Sequence, residues 1–244
     1  MKLLHLLPTV DPRGGGPMEG VRQRGLRLLE MGTVIATGGD EYVGAGGASN
    51  GTVVNDGALE YVDAGGTATN TTMNGGFDFV AAGGTATGTK VHDGELLVKG
   101  VANDTKLSGG NEYVYAGGIQ NNVNFEGSSA ATLYLEDPSG LTGTVSNFEA
   151  GDTIDFLGTS FTSVNFDGST LTLATGSATY TYQFHGTEND TALTVASDGH
   201  GGTAISLAKL SELSASLAPG SGPDGTISPQ DTTSANPALV NAQT

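Results

Sequence analysis

Residues 52–70 read TVVNDGALEYVDAGGTATN, and residues 71–88, which follow directly, read TTMNGGFDFVAAGGTATG. The same pattern precedes them in residues 33–51 and follows them in residues 89–104 and 105–122. Each unit has a threonine, an aliphatic residue, a glycine, a pair that ends in valine and a second glycine turn. The first member of the pair is aromatic except at Leu97. Units of about 16–19 residues with two short β segments are too short for a propeller blade or a helical repeat. The period predicts an all-β fold, a β-solenoid (parallel β-helix) with one unit per coil.

Equivalent positions of the five units form columns, and stacking coils ~4.8 Å apart would turn these columns into ladders. The glycines would serve corners that need positive φ or close backbone approach. The columns are threonine (Thr33, Thr52, Thr71, Thr89, Thr105), aliphatic (Ile35, Val54, Met73, Val91, Leu107), glycine (Gly38, Gly57, Gly76, Gly94, Gly110), aromatic (Tyr42, Tyr61, Phe79, Leu97, Tyr113) and valine (Val43, Val62, Val80, Val98, Val114).

The acidic residues of the repeats leave the facing of one strand open. Glu41, Glu60, Asp78 and Glu112 share parity with the valine column, although acids ordinarily face water. Either the aromatic column points inward, or a corner separates the acid from the valine.

The strings EYVDAGGTATN, GGTATNTTMNGG and GGTATGTKVHDG resemble the strand-loop-strand repeats of autotransporter passenger domains, adhesins of Gram-negative bacteria. The resemblance implies an extracellular or cell-surface structural or adhesion protein that is not an enzyme. It implies partners by self-association or through host or surface glycans. Some passengers are glycosylated in their repeats, which would make acceptors of a set of five threonines: Thr67, Thr69, Thr71, Thr85 and Thr87.

The composition excludes several classes of protein. The 244 residues hold no Cys, which excludes disulfides and thiolate metal sites. A net charge of −17 argues against nucleic-acid binding, and no apolar run is long enough for a transmembrane helix. Beyond Arg27 the chain has no Arg and only four Lys, too few cationic groups for a polysaccharide-lyase site. Lys90 and Lys106 share a repeat position and are predicted to be neighbours.

Residues 1–32 differ in composition and predict a short βα fragment. A strand, the loop Gly14, Gly15 and Gly16, and a helix through Leu29 that ends at Gly32 are expected. The string DPRGGGP resembles the N-terminus of a family-4-type glycosyltransferase, which implies that the glycine loop lies near a nucleotide-sugar cleft. A truncated glycosyltransferase-related protein is therefore the alternative function. No Sec signal is recognisable, so a genuine start at Met1 would place the chain in the cytoplasm.

Residues 33–123 are thus predicted as the repeats, 124–208 as a β-rich module of hairpins, and 209–244 as a disordered tail. SVNFDGSTLTLA predicts a hairpin at Asp167–Gly168, and Gly176 starts the next turn. VSNFEAGDTIDFLG resembles modules that precede Hedgehog/intein domains, but those splice through a Cys that this chain lacks.

A secreted calcium-dependent module is a further alternative. Asp152 and Asp155 lie in one turn, and Asp198 lies in SDGHGG, which is similar to calcium loops of repeats-in-toxin proteins. No complete nonapeptide repeat occurs, and the four histidines have no partner at ligand spacing: His5, His92, His185 and His200. The prediction is therefore no metal ligands and no cofactor.

Overall fold

The structure is a computed structural model that describes residues 29–127, 129–189, 191–211 and 238–240. The predicted loop Gly14, Gly15 and Gly16 and most of the predicted tail lie outside these residues. Within them the solenoid strands are β1 (Leu29–Met31), β2 (Val34–Ile35), β3 (Asp40–Val43), β4 (Ala48–Asn50), β5 (Val53–Asn55), β6 (Leu59–Val62), β7 (Thr67–Thr69), β8 (Thr72–Val80), β9 (Thr85–Thr87), β10 (Lys90–Val98), β11 (Val101–Leu107), β12 (Asn111–Val114), β13 (Ile119–Phe125), β14 (Thr132–Leu135), β15 (Leu141–Ser146) and β16 (Thr153–Phe156). The remaining elements are a 3₁₀ turn (Pro138–Gly140), β17 (Ser163–Phe166), β18 (Thr170–Ala174), β19 (Thr179–His185), β20 (Thr191–Ser197), β21 (Thr203–Lys209) and β22 (Ala238–Val240).

Parallel pairing arranges the solenoid strands in three faces. Face A contains β2, β5 and the start of β8 and β10, followed by the second halves of β11, β13 and β15. Face B contains β3, β6, the second halves of β8 and β10, and then β12, β14 and β16. Face C contains β1, β4, β7 and β9, followed by the first halves of β11, β13 and β15. The predicted all-β solenoid is confirmed, with about seven turns.

The first coil begins before the repeats that the sequence makes recognisable. Leu29 was predicted to lie in a helix, but Leu29–Met31 form a strand in parallel register with Ala48–Asn50. Gly32 has a φ of 73°, as predicted for a C-cap, yet it is the corner equivalent to Gly51 in the next coil. The helix prediction is wrong here because a parallel neighbour outweighs a weak helical spacing of leucines.

The stack also continues past residue 123, where the repeat pattern fades. β14 pairs with β12, and β16 pairs with β14, so that Leu133 and Ile154 extend the interior column occupied by Glu112. Longer connections separate these coils, which obscures their period in the sequence. The solenoid therefore ends at Phe156 rather than at the last unit with an obvious repeat.

The glycine column divides into two spatial positions. The turn between faces A and B has three residues after Asn55 but two after Asn74, because Asn55 pairs with Asn74 and Leu59 pairs with Phe77. Gly38 and Gly57 therefore occupy one position, whereas a second position, equivalent to that of Ala58, holds Gly76, Gly94 and Gly110. The predicted single glycine column is therefore wrong, because Gly38 and Gly57 lie one residue earlier in the turn than Gly76, Gly94 and Gly110.

Neither predicted arrangement of the acidic strand is correct. On face B the valine column and the acidic column both point inward, while the aromatic column points outward. Glu60, Asp78 and Glu112 are each 0% exposed, as is Val62 beside them. The aliphatic and valine columns fill the interior as predicted, and the threonines Thr52, Thr71, Thr89 and Thr105 are also buried.

Antiparallel hairpins cover the last coil. β17, β18 and β19 form a meander whose last strand pairs with β15 on face A. β20 and β21 form a hairpin in which β21 pairs with β16 on face B, and β22 adds to β20. The predicted hairpin between β17 and β18 is present, but its two-residue turn was placed one residue too early. The turn residues are Gly168 and Ser169, because the Asp167 N–H donates to the Thr170 carbonyl at 3.2 Å. These hairpins remove the open edge that the final coil would otherwise present.

Candidate interaction surface

Face B presents a ladder of aromatic rings to solvent. Tyr42 and Tyr61 stack with ring centroids 4.5 Å apart, and Tyr61 and Phe79 stack at 5.1 Å. Leu97 interrupts the ladder, which resumes where Tyr113 and Tyr134 stack at 4.3 Å. The separation follows from the spacing of parallel strands, because equal rings in register are carried one coil apart. The ring faces cover one another, so the ladder offers mainly ring edges and tyrosine hydroxyls.

A second outward column lies beside the ladder, and two of its members, Leu59 and Phe77, add apolar surface to it. Tyr42 is 55% exposed, and Phe77, two residues before Phe79 on the same strand, is 44% exposed. Lys99 closes one side of this surface, with its Nζ 5.7 Å from the centroid of Phe79 and 4.9 Å from that of Tyr115. Exposed aromatic residues beside a cation are typical of binding surfaces. Sequence reasoning missed Phe77, although its parity with Phe79 placed both rings on one side of the strand.

We expect Tyr61→Leu to lower the free energy of unfolding by about 1–2 kcal/mol, because it removes two stacked ring pairs. Leucine is the natural occupant of this column at Leu97, so the strand should persist. Tyr42→Leu is the control, since it removes one pair and should cost about half as much. Urea unfolding followed by circular dichroism measures both. Equal costs would contradict a contribution from stacking.

Face C presents threonine and asparagine side chains. Thr67, Thr69, Thr85 and Thr87 lie at its outward positions, where they are exposed or half-buried. The fifth threonine of the predicted acceptor set, Thr71, is 0% exposed, and its hydroxyl donates to Glu60 Oε2 at 2.8 Å. Thr71 is therefore inaccessible to modification in the folded chain.

A polar groove of about 530 Å³ runs along face A where the solenoid meets the cap. Lys106 lies in it, one register step from Lys90 as predicted, and forms an ion pair with Glu126 at 2.8 Å. The amide groups that line the groove donate to neighbouring side chains. Asn122 Nδ2 donates to Asp104 Oδ1 at 3.0 Å, Asn124 Nδ2 to Glu126 Oε1 at 2.8 Å, and Asn147 Nδ2 to Asn124 Oδ1 at 2.7 Å. The lining residues of the groove are Asp104, Thr105, Lys106, Asn122, Val123, Asn124, Thr144, Ser146, Asn147, His185 and Gly186.

In the described residues the three aspartates of the calcium prediction do not form one cluster. Asp152 accepts hydrogen bonds from the backbone N–H groups of Ala131 at 3.2 Å and Glu149 at 3.0 Å, so it holds a turn together. Asp198 lies near Asp155, and burial followed by the charge of Asp198 raises the pKa of Asp155. Asp198 accepts from the N–H groups within its own loop. In the described ranges no group of three or more His, Asp or Glu side chains is placed to hold a metal ion.

Among the helices of the described residues, none has the length and apolar character needed to cross a membrane.

Comparisons with known proteins find similarity among solved structures. No family model matches the chain, and no curated protein matches it. A crystal structure of a TibC-catalysed, hyper-glycosylated TibA55-350 fragment is similar at 26% identity, with a TM-score of 0.40. The similarity covers 51% of this chain and 53% of that fragment, so the chain spans about half the length of the fragment it matches.

Proposed function

We propose that the chain is a non-enzymatic structural or adhesion repeat protein of the autotransporter passenger type, located outside or on the surface of a Gram-negative cell. The observation that supports this most strongly is the aromatic surface of face B. Its outward side chains recur at the coil spacing, which suits many weak contacts made together rather than one enclosed binding site. The buried columns form the core of the coils, whereas the outward rings contact one another and solvent.

The partner proposed for face B is a second copy of the chain or a surface glycan. Beads coated with the full chain would be tested for clustering with one another and for retention on a glycan array. We expect Phe77→Ser with Tyr42→Ser to reduce binding several-fold, because both side chains are largely exposed and contribute little to the core. Thr67→Ser with Thr85→Ser, on face C, is the matched control.

The two partners give different outcomes. Clustering that depends on face B indicates self-association, and retention on the array without clustering indicates a glycan. Unchanged binding of the face-B variant in both assays would exclude this surface. Surface proteolysis of intact producing cells tests the location independently: digestion of the chain while a cytoplasmic marker survives is expected, and protection of the chain would contradict it.

A further inference from the structure

The interior of face B contains carboxyl groups in successive coils. Glu41 is in register with Glu60, and Glu60 is in register with Asp78. Leu96 follows Asp78, and Glu112 then lies between Leu96 and Leu133. We call Glu41, Glu60, Asp78 and Glu112 the interior acidic column. Three of its members are completely buried: Glu60, Asp78 and Glu112.

The hydrogen bonds to the interior acidic column are unequal. Glu60 accepts from Ser49 Oγ at 2.7 Å and from Thr71 Oγ1 at 2.8 Å, and Glu41 accepts from Thr52 Oγ1 at 3.0 Å. Among the described residues, the carboxyl oxygens of Asp78 and of Glu112 have no hydrogen-bond partner. The hydroxyl of Thr105, near Glu112, donates instead to Gln120 Oε1 at 3.1 Å. Two of the four carboxyl groups therefore lack the donors that would stabilise an ionised form.

No cationic side chain of the described residues compensates these carboxyl groups. In the part of the chain that the structure describes, every lysine and histidine side chain is at least partly exposed. The charged groups that face Asp78 are Glu60, Glu41 and Glu112, all of the same sign. Glu112 is flanked by Leu96 and Leu133 on the two neighbouring strands. An ionised carboxylate in such surroundings costs several kcal/mol, whereas a neutral carboxyl group costs much less.

The electrostatics agree with this geometry. Burial, partly offset by the nearby hydroxyl of Thr105, raises the pKa of Glu112 to about 8. Burial also raises the pKa of Asp78 well above its ordinary value, with further increases from Glu60, Glu41 and Glu112 in that order. Burial also raises the pKa of Glu60, and the nearby hydroxyls of Ser49, Thr71 and Thr52 offset part of that increase.

We propose that the solenoid folds by taking up protons on Asp78 and Glu112, and that the loss of these protons loosens its coils. The proposal is independent of the partner proposed for face B. In the unfolded chain both carboxyl groups titrate near pH 4. In the folded chain they stay neutral to higher pH, so the folded state binds more protons between these limits. Stability is therefore complete below about pH 4 for these groups and declines as pH rises through the folded values.

The test is urea unfolding of the full chain between pH 5 and pH 9, followed by circular dichroism. Between pH 5 and about pH 8, each neutral interior carboxyl group should raise the unfolding equilibrium constant about tenfold per pH unit. Glu112→Gln and Asp78→Asn should each remove about one proton from this slope. Glu112→Leu continues the apolar run of Leu96 and Leu133, and serves if the amide variants do not fold. Asp40→Asn, an exposed outward acid on the same face, should leave the slope unchanged.

Proton uptake is measured directly by refolding the chain from urea at pH 6.5 in a weakly buffered indicator solution. One to two protons per chain are expected, falling to one or none in Glu112→Gln. A pH-independent unfolding constant from pH 5 to pH 8, or an unchanged slope in both Asp78→Asn and Glu112→Leu, would overturn the proposal. So would destabilisation of the wild-type chain by EDTA at pH 6.5, because it would mean that a cation and not a proton neutralises the column.

Discussion

Gly76→Ala should lower the free energy of unfolding by more than about 3 kcal/mol, the largest effect expected for so small a change. Gly76 has a φ of 71°, and a methyl group there would lie 2.5 Å from the carbonyl oxygens of Ala58 and Asn55. Both neighbours are backbone atoms of the packed turn, so neither can move without disturbing a coil. Thermal unfolding should show a decrease in Tm of at least about 6 °C for a chain of this size.

Gly57→Ala is the matched control. Its φ of 67° is nearly the same, but the nearest atoms to an added methyl group lie 3.9 Å away. Only the strain of the left-handed backbone should remain, at about 1–2 kcal/mol. Equal losses of stability in the two variants would contradict the close approach of the Gly76 turn to the backbone of Asn55 and Ala58.

Phe148→Ala should cost about 3–5 kcal/mol, because it empties a site that joins the solenoid to its cap. Phe148 is 0% exposed and packs edge-on against Phe125 of the solenoid at 5.1 Å and Phe184 of the cap at 5.7 Å. Phe77→Ala removes the same side chain from an outward, 44% exposed position and should cost about 1 kcal/mol or less. Urea unfolding of both variants measures the difference. A loss in Phe148→Ala no larger than that in Phe77→Ala would mean that the cap does not pack on the last coil.

The repeats predicted the solenoid because inward-facing residues and turn glycines recur together in every unit. The aliphatic column, which includes Val54 and Met73, was correctly predicted to lie in the interior. Side chains at every second position of a strand point to the same face. The register was harder to predict. The turn after Asn74 is one residue shorter than the turn after Asn55, which shifts the glycine to another position of the turn. Aligning the repeats without gaps does not reveal this shift.

The interior acids were the main failure of prediction from sequence. The rule that carboxylates face water places Glu60 outside the solenoid. In the structure Glu60 is buried and accepts hydrogen bonds from the hydroxyls of Ser49 and Thr71, which lie 11 residues away on either side. Such contacts between faces depend on coil geometry and leave no local signal. The sequence predicted the aromatic column but not the contribution of Phe77 to the same surface. Phe77 belongs to a column whose other members are not aromatic.

The parallel, in-register stacking of coils underlies every proposal above, and engineered cysteines test it most directly because the native chain has none. Thr69 and Thr87 are register partners on face C, so Thr69→Cys with Thr87→Cys should form an intramolecular disulfide under mild oxidation. Thr69→Cys with Asn103→Cys places the thiols two coils apart and should remain reduced. Mass spectrometry of the oxidised monomers distinguishes these results. A disulfide in the second variant and none in the first would contradict the solenoid.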